Sequence, residues 1–125
     1  MDKKIKILLL DDEPIVLERV KSSLELSGYN VDSFISSKDA IDKLKQVKYD
    51  ILITDLKMSS PDGMEVLKTA KQIQPEIKAI VITGFATKQT AEFAKKIGAI
   101  EFIPKPFKMS QLKNILNVIA GAEDK

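Results

Sequence analysis

Cysteine and histidine are both absent from this chain of 125 residues. Without cysteine the chain has no disulfide, no thiolate metal site and no thiol nucleophile. Without histidine it has no imidazole general base, no serine–histidine hydrolysis and no histidine-ligated zinc. Any chemistry must therefore be carried by carboxylates, hydroxyls, lysine or backbone groups.

The chain also has a small net charge and only short apolar runs. The formal net charge of +2 is too small to predict binding to nucleic acid or to an anionic membrane. No segment approaches the roughly 20 apolar residues of a membrane span. The apolar run that ends at Leu10 is cut by acids and lacks the small-residue cleavage site of a signal peptide. We therefore expect a cytoplasmic protein.

Short apolar runs alternate along the chain with segments of helical spacing. The runs cover residues 5–10, 31–35, 51–54, 79–83 and 101–103. Those at 51–54 and 79–83 are rich in Ile and Val without clean alternation, which is typical of strands buried on both faces. Five strand–helix units predict a single doubly wound (βα)5 flavodoxin-like domain over residues 1–125, with a parallel five-stranded sheet in the order 2-1-3-4-5.

Helix starts are marked by residues that suit a first turn. Pro14 fits the first helical position, where a missing N–H is harmless. Ser36 or Ser37, Asp62 and Ser110 are candidate N-caps, because their side-chain oxygens can accept a hydrogen bond from a free backbone N–H.

Acidic residues follow the two predicted strands that flank the switch point of this sheet. Asp11 and Asp12 follow the first strand, and Asp55 follows the third. Carboxylates held close together raise one another's pKa unless a cation lies among them. A ligand set made only of carboxylates favours a hard ion, Mg²⁺ or Mn²⁺. The sequence therefore predicts a divalent metal site at this end of the sheet.

Two further residues at strand ends suit phosphoryl chemistry. Lys105 adds a positive charge after the fifth strand, and Thr83 adds a hydroxyl at the end of the fourth. A metal, a carboxylate nucleophile, a lysine and a hydroxyl together make a phosphoryl-transfer site. The chain lacks both G-x-x-x-x-G-K-[ST] and G-x-G-x-x-G, so we expect the phosphoryl group to arrive on a partner and not on a bound nucleotide.

Four short motifs lie at the ends of these strands. They are "DDE" after the first strand, "DLKM" with "DG" after the third, "TGFA" after the fourth and "KPF" after the fifth. Together they resemble the receiver domain of bacterial response regulators over nearly the whole chain. The stretches "VITGFAT" and "GAIEFIPKPF" are most similar to receivers of nitrogen-regulation-type transcriptional activators.

The resemblance implies a phosphorylation-controlled module of a two-component system and not an enzyme with a separate substrate. Asp55 would accept a phosphoryl group from a sensor histidine kinase or a phosphotransfer protein. Asp11, Asp12, Asp55 and the backbone carbonyl of Lys57 would hold the metal, and Lys105 would pair with the phosphoryl group.

The resemblance also implies a switch. Thr83 would bond to the phosphoryl group, and Phe102 would be the aromatic residue that responds, while the Lys105–Pro106 peptide bond would be cis. The face formed by the fourth helix, fifth strand and fifth helix would then act on an output domain, a downstream protein or a second copy of the chain.

One motif departs from the family pattern. The family usually reads M-P-G-x-D-G after the acceptor, whereas this chain reads "MSSPDG", with proline at Pro61 and not at Ser59.

Two other functions stay open. A haloacid-dehalogenase-like phosphatase also uses an aspartyl nucleophile, but it needs D-x-D after the first strand. A degenerate receiver that serves only as a binding surface is the other alternative.

Overall fold

The computed structural model describes residues 4–56, 63–84 and 86–123. Within these ranges five strands alternate with five helices. In chain order they are β1 (Lys6–Leu10), α1 (Pro14–Leu26), β2 (Asn30–Phe34), α2 (Ser37–Leu44), β3 (Ile51–Thr54), α3 (Gly63–Ile73), β4 (Lys78–Thr83), α4 (Lys88–Ile97), β5 (Ala99–Pro104) and α5 (Met109–Glu123). None of the helices in these ranges is both long and apolar enough to cross a membrane.

The strands form one sheet in the order β2-β1-β3-β4-β5, and every neighbouring pair is parallel. The predicted doubly wound α/β fold and its strand order are confirmed. The order reverses between β1 and β3, where Leu10 lies opposite Thr54 at the carboxyl ends of the two strands. Ligands of such sheets bind outside the carboxyl ends of the strands at this reversal.

Each face of the sheet carries its own apolar core. Side chains of successive strand residues point to opposite faces, so Ile7 and Leu8 enter different clusters. Residues of α2, α3 and α4 cover the cluster of Leu8, and residues of α1 and α5 cover the cluster of Ile7. Burial on both faces explains why the central strands read as unbroken apolar runs, and it holds the strand ends rigidly in place.

Two predicted helix starts are confirmed. α1 begins at Pro14, and the side chain of Ser36 caps α2 by accepting a hydrogen bond from the N–H of Asp39 at 3.3 Å. Of the two serines weighed for this cap, Ser36 is therefore the capping residue. The third candidate, Asp62, lies outside the described residues.

The predicted cap at Ser110 is wrong. α5 begins one residue earlier, and the carbonyl of Lys108 already accepts a hydrogen bond from the N–H of Gln111 at 3.0 Å. Ser110 therefore lies inside the first turn, where its side chain is exposed. A cap that was not predicted belongs to α4, where the side chains and backbone N–H groups of Thr87 and Thr90 bond to each other reciprocally.

Candidate functional site

Backbone hydrogen bonds hold three of the predicted site residues at one edge of the sheet. Each residue directly follows a strand, and its N–H still donates to the carbonyl of the neighbouring strand: Asp11 to Phe34 at 3.2 Å, Asp55 to Leu10 at 3.1 Å and Lys105 to Thr83 at 2.8 Å. Because the strands are parallel and rigidly packed, these bonds place the three side chains at the same carboxyl edge.

The ammonium group of Lys105 joins three carboxylates. Its Nζ donates to Asp11 Oδ2 at 2.8 Å, to Asp55 Oδ2 at 2.9 Å and to Glu13 Oε1 at 2.9 Å. The side chains of Lys105, Asp11 and Asp55 are 15%, 6% and 7% exposed, whereas that of Glu13 is 60% exposed. The ion pairs with Asp11 and Asp55 are therefore shielded from water, and the pair with Glu13 lies at the solvent boundary.

Burial and hydrogen bonding act in opposite directions on this network. Burial raises the pKa of Asp11 above its ordinary value, against the hydrogen bonds from Lys105 and from the N–H of Glu13. Burial alone would lower the pKa of Lys105, but the hydrogen bonds to Asp11, Asp55 and Glu13 outweigh it, and the pKa is raised. The network therefore favours the charged form of Lys105.

Four acids at this edge form an oxygen-rich cluster. Asp11, Asp12, Glu13 and Asp55 each offer one carboxylate oxygen, and these oxygens lie within 4.8 Å of one another. Asp11 and Asp55 are buried while Asp12 and Glu13 are exposed, so the cluster opens to solvent on one side. Such a donor set fits a hard divalent cation. The predicted metal ligands Asp11, Asp12 and Asp55 are thus together, and Lys57 lies outside the described residues.

Thr83 and Phe102 lie on the neighbouring strands β4 and β5. Thr83 ends β4 and is fully buried. Phe102, on β5, is half-buried, lies opposite Val81 of β4 and packs against the core cluster that also contains Ala94 of α4. The Lys105–Pro106 peptide bond is cis.

Glu13 has no role in the prediction from sequence, although it is the third letter of "DDE". It directly precedes α1, but its side chain makes no hydrogen bond that caps the helix. Instead the N–H of Glu13 donates to Asp11 Oδ1 at 2.9 Å. With the backbone held in this way, the carboxylate of Glu13 reaches Lys105. No local signal marks this role, because an acid directly before Pro14 reads only as a residue that precedes a helix.

The backbone around Asp55 is packed against the start of α3. The hydroxyl of Thr54 donates to the carbonyl of Asp55 at 3.0 Å, and the N–H of Gly63 donates to the carbonyl of Leu56 at 3.0 Å. A Cβ on Gly63 would overlap the carbonyl oxygen of Asp55 and would come within 2.5 Å of the Cα of Leu56. Only glycine allows this approach of one backbone to another.

Comparison with known proteins agrees with this fold. Residues 7–117 match the model of the family described as response regulator receiver domain. The transcriptional regulatory protein ZraR of Salmonella typhimurium is 32% identical over 113 residues, which are 90% of this chain and 26% of ZraR. The response regulator receiver protein CpdR of Brucella abortus is 30% identical over 109 residues, which are 87% of this chain and 91% of CpdR.

A solved structure of a response regulator also matches this chain. It is a response regulator protein from Burkholderia pseudomallei with a phosphorylated aspartic acid, a calcium ion and citrate, and it has a TM-score of 0.82 and 25% identity, covering 87% of this chain and 64% of the other.

The chain belongs to the response regulator receiver domain family, the regulatory phospho-acceptor domains of two-component systems. Several of its curated relatives are transcriptional regulatory proteins, and the chain spans about a quarter of the length of the first of them.

Proposed function

We propose that Asp55 accepts a phosphoryl group from a sensor histidine kinase or a phosphotransfer protein, and that this reaction controls an output. The observation that carries the proposal is the convergence of Asp55 with Asp11 and Lys105 at 2.8–2.9 Å, at the carboxyl edge of the sheet. The phosphorylated aspartic acid of the Burkholderia pseudomallei relative supports it.

In the proposed reaction a carboxylate oxygen of Asp55 attacks the phosphorus of a phosphohistidine. The new O–P bond forms as the P–N bond breaks, and the imidazole leaves with the electron pair and takes a proton. The ammonium of Lys105 pairs with the phosphoryl oxygens, because it is already held beside Asp55 at 2.9 Å. The absence of histidine and cysteine excludes an imidazole or thiolate nucleophile, and the carboxylate of Asp55 is the group held beside Lys105.

The cation that fits the acid cluster is Mg²⁺ or Mn²⁺. Asp11, Asp12, Asp55 and the backbone carbonyl of Lys57 would hold it, as carboxylate and carbonyl oxygens suit these ions. When bound, it neutralises charge on the phosphoryl oxygens. Asp12 is exposed and Asp11 is buried against Lys105, so Asp12 is the carboxylate most free to turn toward the cation.

The first prediction tests the proposal. After incubation with acetyl phosphate and Mg²⁺, the intact mass of the protein should rise by one phosphoryl group, and EDTA should prevent the rise. Asp12→Ala should abolish uptake while leaving a folded protein, since removing one acid of the cluster relieves repulsion. Normal uptake by Asp12→Ala would make the metal assignment wrong, and no uptake by the wild type would favour a degenerate receiver.

The proposed output surface is the face of α4, β5 and α5. Within the described residues of α4, Ala94 alone is buried, so this helix is held by little apolar contact and can shift at low cost. Thr83 would turn toward the phosphoryl oxygens, and Phe102 would occupy the space beside it. Moving an equilibrium from 1:99 to 99:1 needs roughly 5.5 kcal/mol. One charge-assisted bond supplies about 1.5–3 kcal/mol, so Lys105 must contribute as well.

The second prediction concerns this switch. Thr83→Ala should still be phosphorylated on Asp55, but the response at the distant face should be weak, because the hydroxyl that joins site to face is gone. Amide chemical shifts of Phe102, Lys105 and Leu112 should be recorded with and without beryllofluoride, a phosphoryl mimic. Equal shift changes in wild type and Thr83→Ala would remove the coupling between Thr83 and Phe102.

The partner of the proposed output surface depends on what accompanies the domain. We propose residues 1–125 as one receiver domain. Its output is a linked domain, as the length of ZraR suggests, or a separate protein or a second copy, as the length of CpdR suggests. Membership in the receiver family speaks against the haloacid-dehalogenase alternative.

A further inference from the structure

All three N–H donors of the Lys105 ammonium group are engaged before any phosphoryl group arrives. An ammonium has three N–H donors. Asp11, Asp55 and Glu13 take one donor each, at 2.8–2.9 Å. While Asp55 is still a free carboxylate, a phosphoryl oxygen of an incoming donor that pairs with Lys105 must therefore displace one of the three carboxylates.

The carboxylate that leaves most easily is Glu13. The side chains of Asp11 and Asp55 are 6% and 7% exposed, so the ion pair of either one with Lys105 is shielded from water and is costly to break. Asp11 is also tied by the N–H of Glu13 at 2.9 Å. The side chain of Glu13 is 60% exposed, and water can solvate its carboxylate as soon as Lys105 lets go.

A cavity next to Lys105 can receive the side chain of Glu13. A cavity of about 300 Å³ lies beside Lys105, between α1 and the segment after β5. Glu13 and Lys105 both line it, and so does Arg19 of α1. A second cation therefore faces the same cavity and can attract the carboxylate that Lys105 releases.

We infer that Glu13 is a positioning residue that holds Lys105 in the unphosphorylated protein and restrains phosphoryl uptake. The inference rests on the proposed role of Asp55. Glu13 acts in two ways: it occupies the donor of Lys105 that the phosphoryl group needs, and its negative charge stands where an anionic phosphoryl donor must approach. It is thus an autoinhibitory contact within the phosphorylation site.

The test is Glu13→Gln, a variant of the same shape without the charge. At saturating Mg²⁺ the rate of uptake from acetyl phosphate, followed by intact mass, should rise about two- to fivefold, as expected for loss of one partly exposed ion pair. Glu18→Gln, which removes the same charge from an exposed residue of α1, should react at the wild-type rate. The Mg²⁺ concentration for half-maximal rate and the urea midpoint should be measured for all three proteins.

Each result has one meaning. A faster Glu13→Gln with wild-type stability supports the inference. A rate for Glu13→Gln that is equal to or lower than the wild-type rate overturns it. A raised half-saturating Mg²⁺ concentration with an unchanged maximal rate also overturns it, because that result would assign Glu13 to the metal. If the wild type takes up phosphate normally, these failures leave the proposed function intact. No uptake by the wild type defeats the proposed function, and the inference with it.

Discussion

Asp55→Asn takes up no phosphoryl group from any donor, if Asp55 is the acceptor. The substitution keeps the size and shape of a side chain that is only 7% exposed, so the packing around it survives. It removes the anionic oxygen that attacks phosphorus, and a neutral amide is a far weaker nucleophile. The hydrogen bond from Lys105 then ends on a neutral amide oxygen, and the ion pair is lost. Intact mass after long incubation with acetyl phosphate and Mg²⁺ measures the result.

A matched control separates this effect from a general loss of charge. Asp42→Asn removes an equivalent charge from an exposed position of α2 and should be phosphorylated like the wild type. Full labelling of Asp55→Asn would move the acceptor to Asp11 or Asp12, the other aspartates of the cluster. Peptide mapping of the labelled protein would then identify it.

Gly63→Ala should lower the free energy of unfolding by about 2–3 kcal/mol, the upper part of the usual range for overpacking. The added Cβ overlaps the carbonyl oxygen of Asp55, and it meets the Cα of Leu56 at 2.5 Å. Both neighbours are backbone and cannot turn aside as a flexible side chain can. Relief requires that α3 or the Asp55 segment shift, so phosphoryl uptake should also slow. Urea denaturation monitored by circular dichroism measures the loss of stability.

The control for this prediction is a second glycine in a helix. Gly121 lies within α5, and a Cβ added there meets nothing within 4 Å. Gly121→Ala should therefore raise the free energy of unfolding, by up to about 1 kcal/mol, because alanine favours the helix more than glycine does. Opposite signs for the two variants support the steric argument, and a stable Gly63→Ala refutes it.

The sequence was sufficient for the sheet order and for the convergence of Asp11, Asp55 and Lys105. Strand identity follows from apolar runs, and parallel pairing brings the residues after each run to the same edge. The helix starts were less certain. Ser110 and Ser36 carry the same chemical signal, but α5 starts at the carbonyl of Lys108, and no local pattern separated the two cases.

Glu13 and Gly63 escaped prediction for a different reason. Their importance lies in contacts with residues that are not their neighbours in the chain, and no local pattern reports such a contact. Glu13 is 92 residues from Lys105, and its sequence context reads only as an acid before a helix. Gly63 reads as a turn residue until the carbonyl of Asp55 is placed beside it.

The Lys105 network also bears on the order in which the protein is made and folded. Lys105 lies 94 residues from Asp11 and 50 residues from Asp55, so the contacts that complete the site are among the most distant in the chain. A ribosome delivers the four acids long before it delivers their cation, and such non-local contacts close late in folding. Until β5 docks beside β4, the acid cluster lacks its ion pairs with Lys105. If Lys105 takes the proposed part in phosphoryl uptake, competence for phosphorylation arises only when the last strand is in place.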